Sequence, residues 1–286
     1  QAISYGFKSW RDFFNDRQLL ALGWLRNAIL RIEDESTREA FMVLFSGVLE
    51  FNNLFTSYKG EGTGAVRHMF AHHILKPERI PIEANVWGTS KSSGSFTGLF
   101  KNRLLRAIDY RRAPVEINGS MDRALMCSTP FSGRVEKRWP SDGAFADRGI
   151  YISCGDSSRS ALPKASVDLI VTDPPFFDNV HYSELADFFF AWRGLGEADE
   201  VASTRHLAEV QDADAERFAA KLQAVFTECN RVLKDDGLLV FTYHHSRAEG
   251  WRALAKAILD SRFVVVNSHP VKAEMSVATP KHQAKD

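Results

Sequence analysis

The stretch Val167-Asp168-Leu169-Ile170-Val171-Thr172-Asp173-Pro174-Pro175-Phe176-Phe177 joins an apolar run of strand length to an acid, two prolines and two aromatic rings. The carboxylate of Asp173 and the carbonyl of Pro174 are hydrogen-bond acceptors. Prolines donate no hydrogen bond and hold φ at about −65°, which aims their carbonyls outward in a fixed geometry. Such acceptors suit alkylation of an exocyclic amino group on a nucleobase. That nitrogen is a poor nucleophile because its lone pair is delocalised into the ring, and it sharpens when acceptors pull on its hydrogens as a methyl group arrives. Phe176 would then stack on the face of a base taken out of its helix. The plainer alternative is a strand followed by a Pro-Pro turn and a core Phe.

For this chemistry Asp173 must stand at the carboxyl end of a buried strand, the edge where open α/β sheets bind ligands. The run Gly149-Ile150-Tyr151-Ile152-Ser153-Cys154-Gly155-Asp156 reads as a second strand ending in Gly-Asp, and seventeen residues separate Asp156 from Asp173. That spacing accommodates a crossover between parallel neighbours, so both acids are expected at one sheet edge. Asp156, with Ser157 beside it, either accepts from the adenine amino group of a nucleoside cofactor or caps the turn that follows.

Beyond the prolines, Asp178, Asn179, His181, Tyr182 and Ser183 are placed to line a base pocket, with Phe177 beside them. A helix over 184–192 carries Phe188, Phe189, Phe190 and Trp192, which read as core. A longer helix over 213–233 sets Phe218, Leu222, Val225, Phe226, Cys229 and Val232 on one face. Asp235-Asp236-Gly237 reads as a turn, and residues 238–243 as a buried strand ending in His244-His245-Ser246 at the site edge. His244 is expected to position a ligand rather than abstract a proton, because the amino nitrogen sheds its proton after transfer. A helix over 251–259 and a last strand over 262–266 complete this half.

The first half reads as mainly helical. Leu19, Leu20, Leu22, Trp24, Leu25, Ile29 and Ile32 recur at helical spacing after Asp16, a candidate N-cap, and a second helix from Asp34 to about Phe51 makes an αα-hairpin with it. Gly60, Gly62 and Gly64 precede a helical run over 65–75; they form either a cofactor loop, with Glu83 as ribose partner, or a plain connector. His68, His72 and His73 in that run could share a zinc ion, but the acidic partner of the familiar metalloprotease pattern is missing, and unliganded histidines are the simpler reading. Residues 76–98 form a Pro-, Gly- and Ser-rich loop. Residues 100–112 make a basic helix with Lys101, Arg103, Arg106, Arg111 and Arg112, which either meets phosphates or is a solvated face. Residues 113–147 read as a linker.

Composition narrows the class. Of 286 residues, 44% are hydrophobic and 25% charged, with a formal net charge of zero, so any nucleic-acid surface must be local rather than global. Cys127, Cys154 and Cys229 are far apart, which excludes a zinc knuckle and a disulfide framework and fits a reducing cytoplasm. No apolar run is long enough to span a membrane. The chain opens on Gln1 and stops at Asp286 soon after an expected strand, the pattern of a piece cut from something longer.

The order strand-GlyAsp, strand-AspProProPhe, helix, helix, strand-HisHis, helix, strand resembles the back half of a class I methyltransferase. More narrowly, it resembles the large bacterial adenine-specific DNA methylases, through the Arg17-Gln18-Leu19-Leu20-Ala21-Leu22 run, Thr172-Asp173-Pro174-Pro175 with Phe177-Asp178-Asn179 and Tyr182-Ser183, and the segment 233–274. The resemblance implies an incomplete Rossmann-like α/β sheet over 148–286, preceded by a mainly helical region over 1–147 that contacts nucleic acid. It implies S-adenosylmethionine as cofactor and adenine in DNA as substrate, with RNA also compatible. Asp173, Pro174, Pro175 and Phe176 would be catalytic. Asp156, Ser157 and Asp173 would face the cofactor, and Phe177, Asn179, Tyr182 and His244 the substrate, with no metal. Three departures stand out: the family's usual Tyr is replaced by Phe176, its Phe-x-Gly-x-Gly loop is absent, and so are its zinc-ribbon cysteines. An N-terminal portion or partner subunit would then supply the main cofactor loop. A non-catalytic nucleic-acid-binding subunit or remnant is the alternative; a metal-dependent hydrolase using His68, His72 and the 244/245 pair is a third reading.

Overall fold

The computed structural model describes residues 2–58, 66–70, 82–88, 93–117, 124–126, 133–136, 138–140, 143–178, 180–193 and 204–271. After two short 3₁₀ turns, the chain runs through α1 (Asp16–Leu30), α2 (Glu35–Phe51), β1 (Ser57–Tyr58), β2 (Val66–Arg67), α3 (Phe96–Leu99), a π-helical stretch (Phe100–Leu105) and α4 (Arg106–Arg112). There follow β3 (Val115–Ile117), β4 (Ala124–Met126), β5 (Arg134–Val135), β6 (Gly149–Ile150), β7 (Val167–Thr172), α5 (Tyr182–Arg193), α6 (Ala215–Val232), β8 (Leu233–Phe241) and α7 (Ala248–Asp260). These elements form two compact units. The first holds residues 1–130 and 183–204, the second 131–182 and 205–286, so the division falls at 130/131 rather than at the expected 147/148.

In the first unit, α1 and α2 pack together as the expected hairpin. Asn15, not Asp16, caps α1: its side chain accepts from the Gln18 N–H while Gln18 Oε1 accepts from the Asn15 N–H, a reciprocal box that ties up two orphan donors. The second helix starts beside Asp34 as expected, and the Asp34 side chain caps it by accepting from the Thr37 N–H. The core gathers Phe13, Phe14, Leu22, Leu25, Ile29, Phe45, Val48 and Leu49 around Phe188 and Trp192, so these two members of the aromatic run are core. Arg26 is buried there because its guanidinium donates to the Trp192 and Arg193 carbonyls at 3.1 and 3.2 Å, placing a cation on the carboxyl end of α5.

The helix expected over 65–75 is overturned at its start. Val66–Arg67 pairs antiparallel with Ser57–Tyr58, so its backbone groups are spent on a ladder instead of a helical turn. His72, His73 and the glycines at 60, 62 and 64 lie outside the described residues. The basic helix is present and begins earlier, at Phe96. Within the expected linker, β3 pairs antiparallel with β4.

In the second unit, β7 and β8 are parallel, with Ile170 opposite Leu239 and Thr172 opposite Phe241. Asp235-Asp236-Gly237 is not a separate turn. It lies inside β8 as a bulge, since Val167 pairs with Leu233 but Leu169 already pairs with Leu238. One face of the pair, with Leu239 and Phe241, packs on α6 and α7 through Phe218, Leu222, Phe226, Leu254 and Ala257. The other face leaves Val171 71% and Leu169 54% exposed, so β7 is not the strand buried on both sides that its apolar run suggested. Among the described residues this sheet has two strands, and β6 pairs with β5 instead of β7. The chain is thus mixed α/β with short sheets, and a complete Rossmann-like sheet is not seen. The last expected strand, 262–266, is not formed: Arg262 and Phe263 close the end of α7, no ladder is seen among the described residues, and Val264 and Val266 are exposed.

Two features of this unit make checkable predictions. Helix α7 ends in a Schellman turn: the Phe263 N–H donates to the Ile258 carbonyl at 3.2 Å and the Arg262 N–H to that of Leu259 at 3.1 Å. Arg262 therefore takes φ 65°, where glycine is the unstrained choice. Arg262→Gly is expected to stabilise the unit by about 0.5–1 kcal/mol, the relieved left-handed strain less the added freedom of the unfolded chain. A higher urea midpoint at unchanged slope would show it.

Ser160, in the crossover before β7, donates through its N–H and Oγ to Glu228 Oε1 at 2.9 and 2.6 Å, and Arg231 grips the same carboxylate at 2.7 Å. Arg231 first, against a smaller opposing effect of burial, and then Ser160 hold the Glu228 carboxyl down to about 2, from an ordinary 4.5. A depressed carboxyl contributes stability that is complete above its unfolded value and lost as pH falls through its folded one. Acid titration of stability between pH 4.5 and about 2 should therefore flatten in Glu228→Gln.

Candidate active site

The parallel register brings the carboxyl ends of β7 and β8 level, and Asp173 comes to lie beside Thr242. The Thr242 N–H donates to the Thr172 carbonyl at 3.3 Å, and its hydroxyl donates to Asp173 Oδ1. Asp173 is exposed, and Oδ2 has no hydrogen-bond partner among the described residues. One oxygen is thus held in place while the other faces outward as an acceptor. Pro174 is buried, and Pro175 and Phe176 are half-buried. The Phe176 ring meets Tyr243 edge-on, centroids 5.6 Å apart. Burial, and then the charge of Asp173, push the Tyr182 phenol up, so Tyr182 belongs to the same neighbourhood.

Phe177 carries the turn. Its φ of 57° is a left-handed conformation that a bulky residue adopts only when its surroundings enforce it. The ring is 1% exposed. Phe218 and His245 lie 5.4 Å from it, and the Arg247 guanidinium sits over its face at 5.4 Å. Expected among the substrate-binding residues, Phe177 lies in the core instead: the left-handed turn drives its side chain into the sheet–helix interior, where it supports the motif from beneath.

The next residue is clamped as well. Arg247 Nη2 lies 2.6 Å from both oxygens of Asp178, and His245 Nε2 lies 3.4 Å from one of them. His245 Nδ1 lies 3.1 Å from the Arg247 N and 3.2 Å from its carbonyl oxygen, which holds the ring with Nε2 facing Asp178. Burial alone would push the Asp178 carboxyl up, but the hydrogen bonds from Arg247 and His245 outweigh it and the net direction is down. Gly250 makes room for this histidine, since a Cβ there would lie 2.6 Å from the His245 ring. The Trp251 indole donates to the His245 carbonyl at 2.9 Å, and the Tyr243 hydroxyl to that of Gly250 at 3.0 Å. Burial, with Asp178 nearby, pushes Tyr243 up to about 12, so it stays a neutral donor.

The structure therefore brings Asp173, Pro174, Pro175, Phe176 and Tyr182 into one neighbourhood. Asp156 is different. Its Oδ1 accepts from the Ser158 N–H at 2.9 Å and hydroxyl at 2.7 Å, so of the two readings the turn cap is the one observed. Those bonds hold its carboxyl below the usual range. The argument that put Asp156 at the edge of Asp173 fails, because it assumed that β6 and β7 were neighbours. Ser157 is exposed, Asn179 lies outside the described residues, and His244 is exposed while its neighbour His245 is buried. Thr242 and Arg247 took no part in the expected site, and His245 entered it only through the His244-His245-Ser246 edge and the metal-dependent reading. Thr242 could have been found from the register, since the residue after the one opposite Thr172 must face Asp173; nothing in the sequence marks Arg247.

A shallow cavity of about 560 Å³ is lined by Ser158, Lys164, Glu228, Arg231 and Arg262. It lies by the amino ends of β7 and β8, where Ala165 and Ser166 donate to the Arg231 and Val232 carbonyls, and so it is remote from the motif. Among the described residues no group of three or more His, Cys, Asp and Glu side chains is arranged to hold a metal ion. No described helix is long and apolar enough to cross a membrane.

Comparison with protein families finds one model, described as DNA methylase, that matches residues 167–283. No curated protein matches, and no solved structure does. The matched segment begins at the first residue of β7 and contains the Asp-Pro-Pro-Phe turn, the Thr242 contact and the Arg247 clamp. Over residues 167–283 the chain is thus similar to the family of DNA methylases.

Proposed function

We propose that the chain methylates the exocyclic amino group of adenine in DNA, using S-adenosylmethionine. The observation that carries this reading is the exposed Asp173 carboxylate at the level carboxyl ends of two parallel strands, with one oxygen held by Thr242. Asp173 and Pro174 hold the two amino hydrogens, so that the nitrogen lone pair turns out of the ring plane toward an incoming methyl group. Phe176, half-buried against Tyr243, offers its remaining surface to the flipped base. The amino proton is shed after transfer, so no base need act beforehand and His244 has no proton to remove. An acid at the first position of the tetrapeptide favours adenine, where the resemblance puts Ser in cytosine amino-methylases.

When bound, the cofactor supplies an electrophilic methyl group on a cationic sulfonium. An exposed carboxylate suits such a cation, and Asp173 fits it. Asp156 fits less well, because Ser158 occupies one of its oxygens. That observation favours a second reading, a nucleic-acid-binding chain without catalysis of its own. Isothermal titration with S-adenosylmethionine separates the two readings, since saturable binding by the chain defeats the second. Incubation with labelled cofactor and unmethylated duplex DNA, followed by nucleoside analysis, should yield N6-methyladenine. N4-methylcytosine alone would overturn the choice of base, and label in RNA but not DNA the choice of polymer.

A further inference from the structure

The helical run 96–112 has an anchored root and a free shaft. At the root, Ser95 is fully buried and its hydroxyl accepts from the Gly98 N–H at 3.2 Å. The Thr97 hydroxyl donates to the Trp87 carbonyl at 2.7 Å, and the Phe96 N–H to that of Val86 at 2.9 Å. The buried Asn52 side chain donates to the Gly94 carbonyl at 3.2 Å. Phe96 and Phe100 meet Phe41 of α2 edge-on at 5.5 and 5.8 Å. Beyond Phe100 only Leu104 is half-buried. No residue of the π-helical stretch or of α4 is buried, and every residue from Leu105 to Arg112 is exposed.

A helix that only covers a core buries a stripe along its whole length, whereas here the half-buried apolar side chains, Phe96, Leu99, Phe100 and Leu104, end before α4. Its charge is one-sided: Lys101, Arg103, Arg106, Arg111 and Arg112 stand against Asp109 alone, in a chain whose net charge is zero. Arg103 acts on Glu50, drawing its carboxyl down against the larger effect of burial. Lys101, Arg106, Arg111 and Arg112 make no ion pair with any described residue. A π-helical segment inside a helix often marks a functional site. Lys101 to Arg112 spans about 17 Å of helix axis, along which duplex DNA carries about ten phosphates.

We infer that this shaft is a duplex-DNA backbone grip, in which Lys101, Arg106, Arg111 and Arg112 neutralise phosphates without reading sequence. The inference rests on the proposed DNA substrate. The test is the salt dependence of binding to a random-sequence duplex by the full chain and by Arg106→Gln/Arg111→Gln/Arg112→Gln. Each lost phosphate contact removes about 0.9 from the slope of log K against log salt, so the slope should fall by about 2.7. Between 50 and 200 mM salt the variant should accordingly lose ~40-fold less affinity than the parent. A second variant, Arg11→Gln/Arg31→Gln/Arg252→Gln, removes the same charge from other exposed positions and should leave the slope near that of the parent. An unchanged slope in the first variant overturns the inference, as does an equal fall in both or a fall seen only with single-stranded RNA. Asp173→Ala distinguishes this failure from failure of the methylase reading, because it should abolish transfer while keeping the parental slope. Unfolding midpoints show that each variant is folded.

Discussion

Asp173→Ala is expected to slow methyl transfer to DNA by roughly a hundred- to a thousandfold in kcat, with little change in KM for DNA. The carboxylate is exposed and touches Thr242, so its removal leaves the β7–β8 pair and the core beneath it intact. On the proposed mechanism, what is lost is an acceptor that works hardest as the nitrogen pyramidalises, an interaction weak in the bound state and strong in the transition state. Asp173→Asn should lie between, since the amide keeps one acceptor oxygen but no charge. Thr242→Val, which removes the hydroxyl that fixes Oδ1, should cost less than either Asp173 variant. Steady-state incorporation of labelled methyl groups measures all three. A parental rate in Asp173→Ala would remove Asp173 from the chemistry, whatever the fate of the DNA grip.

The second large effect concerns stability. Phe177→Ala should destabilise the second unit by about 3–5 kcal/mol, the usual cost of emptying a phenylalanine site in a packed core. It also removes the ring beneath the Arg247 guanidinium and leaves a left-handed residue with nothing to enforce it. Against a total stability of roughly 5–15 kcal/mol, much of the margin would go. Phe177→Leu, which keeps most of the volume, should recover more than half of the loss. Urea unfolding gives both values, and a loss below about 1 kcal/mol in the alanine variant would show that Phe177 does not hold the turn. At temperatures where the alanine variant remains folded its kcat should also fall, because only Pro175 and Phe176 separate Phe177 from Pro174, and Asp173 directly precedes that proline.

Much of this was legible in the sequence. Helix α6 announces itself by Phe218, Leu222, Phe226 and Cys229 on one stripe, all buried as the spacing requires. Helices α1 and α2 were read from the same local signals, and β7 from an apolar run stopped by two prolines. Local patterns failed where partners decide. Phe263 to Val266 have strong strand propensity, but propensity describes fit to a pleated surface, and with no ladder beside them among the described residues Val264 to Val266 form no strand and stay open to solvent, while Phe263 packs on the core. Asp235-Asp236-Gly237 carries the composition of a turn, yet the long parallel pairing with β7 continues around it as a bulge. Phe177 breaks the rule that left-handed positions take glycine or asparagine, because core burial outweighs local strain. The site itself was half legible. Asp173 and its prolines are a motif in one stretch, whereas Thr242 and Arg247 are about 70 residues away and reach it only through register and packing.

The interleaving of the two units sets a timetable for a growing chain. The chain leaves the second unit after Tyr182 and returns to it at Arg205, having contributed Phe188 and Trp192 to the core of the first. Phe13, Phe14 and Phe45 therefore wait for partners that emerge only after the Asp-Pro-Pro-Phe strand. That strand waits in turn for β8, some 60 residues later, a delay of about 3–12 s at ordinary rates of synthesis. During that interval a strand with open edges and apolar side chains is exposed to other nascent chains. A truncated chain ending at residue 130 or 147 would never receive Phe188 and Trp192, so the first unit is a unit in space but not a stretch that can be cut from the gene.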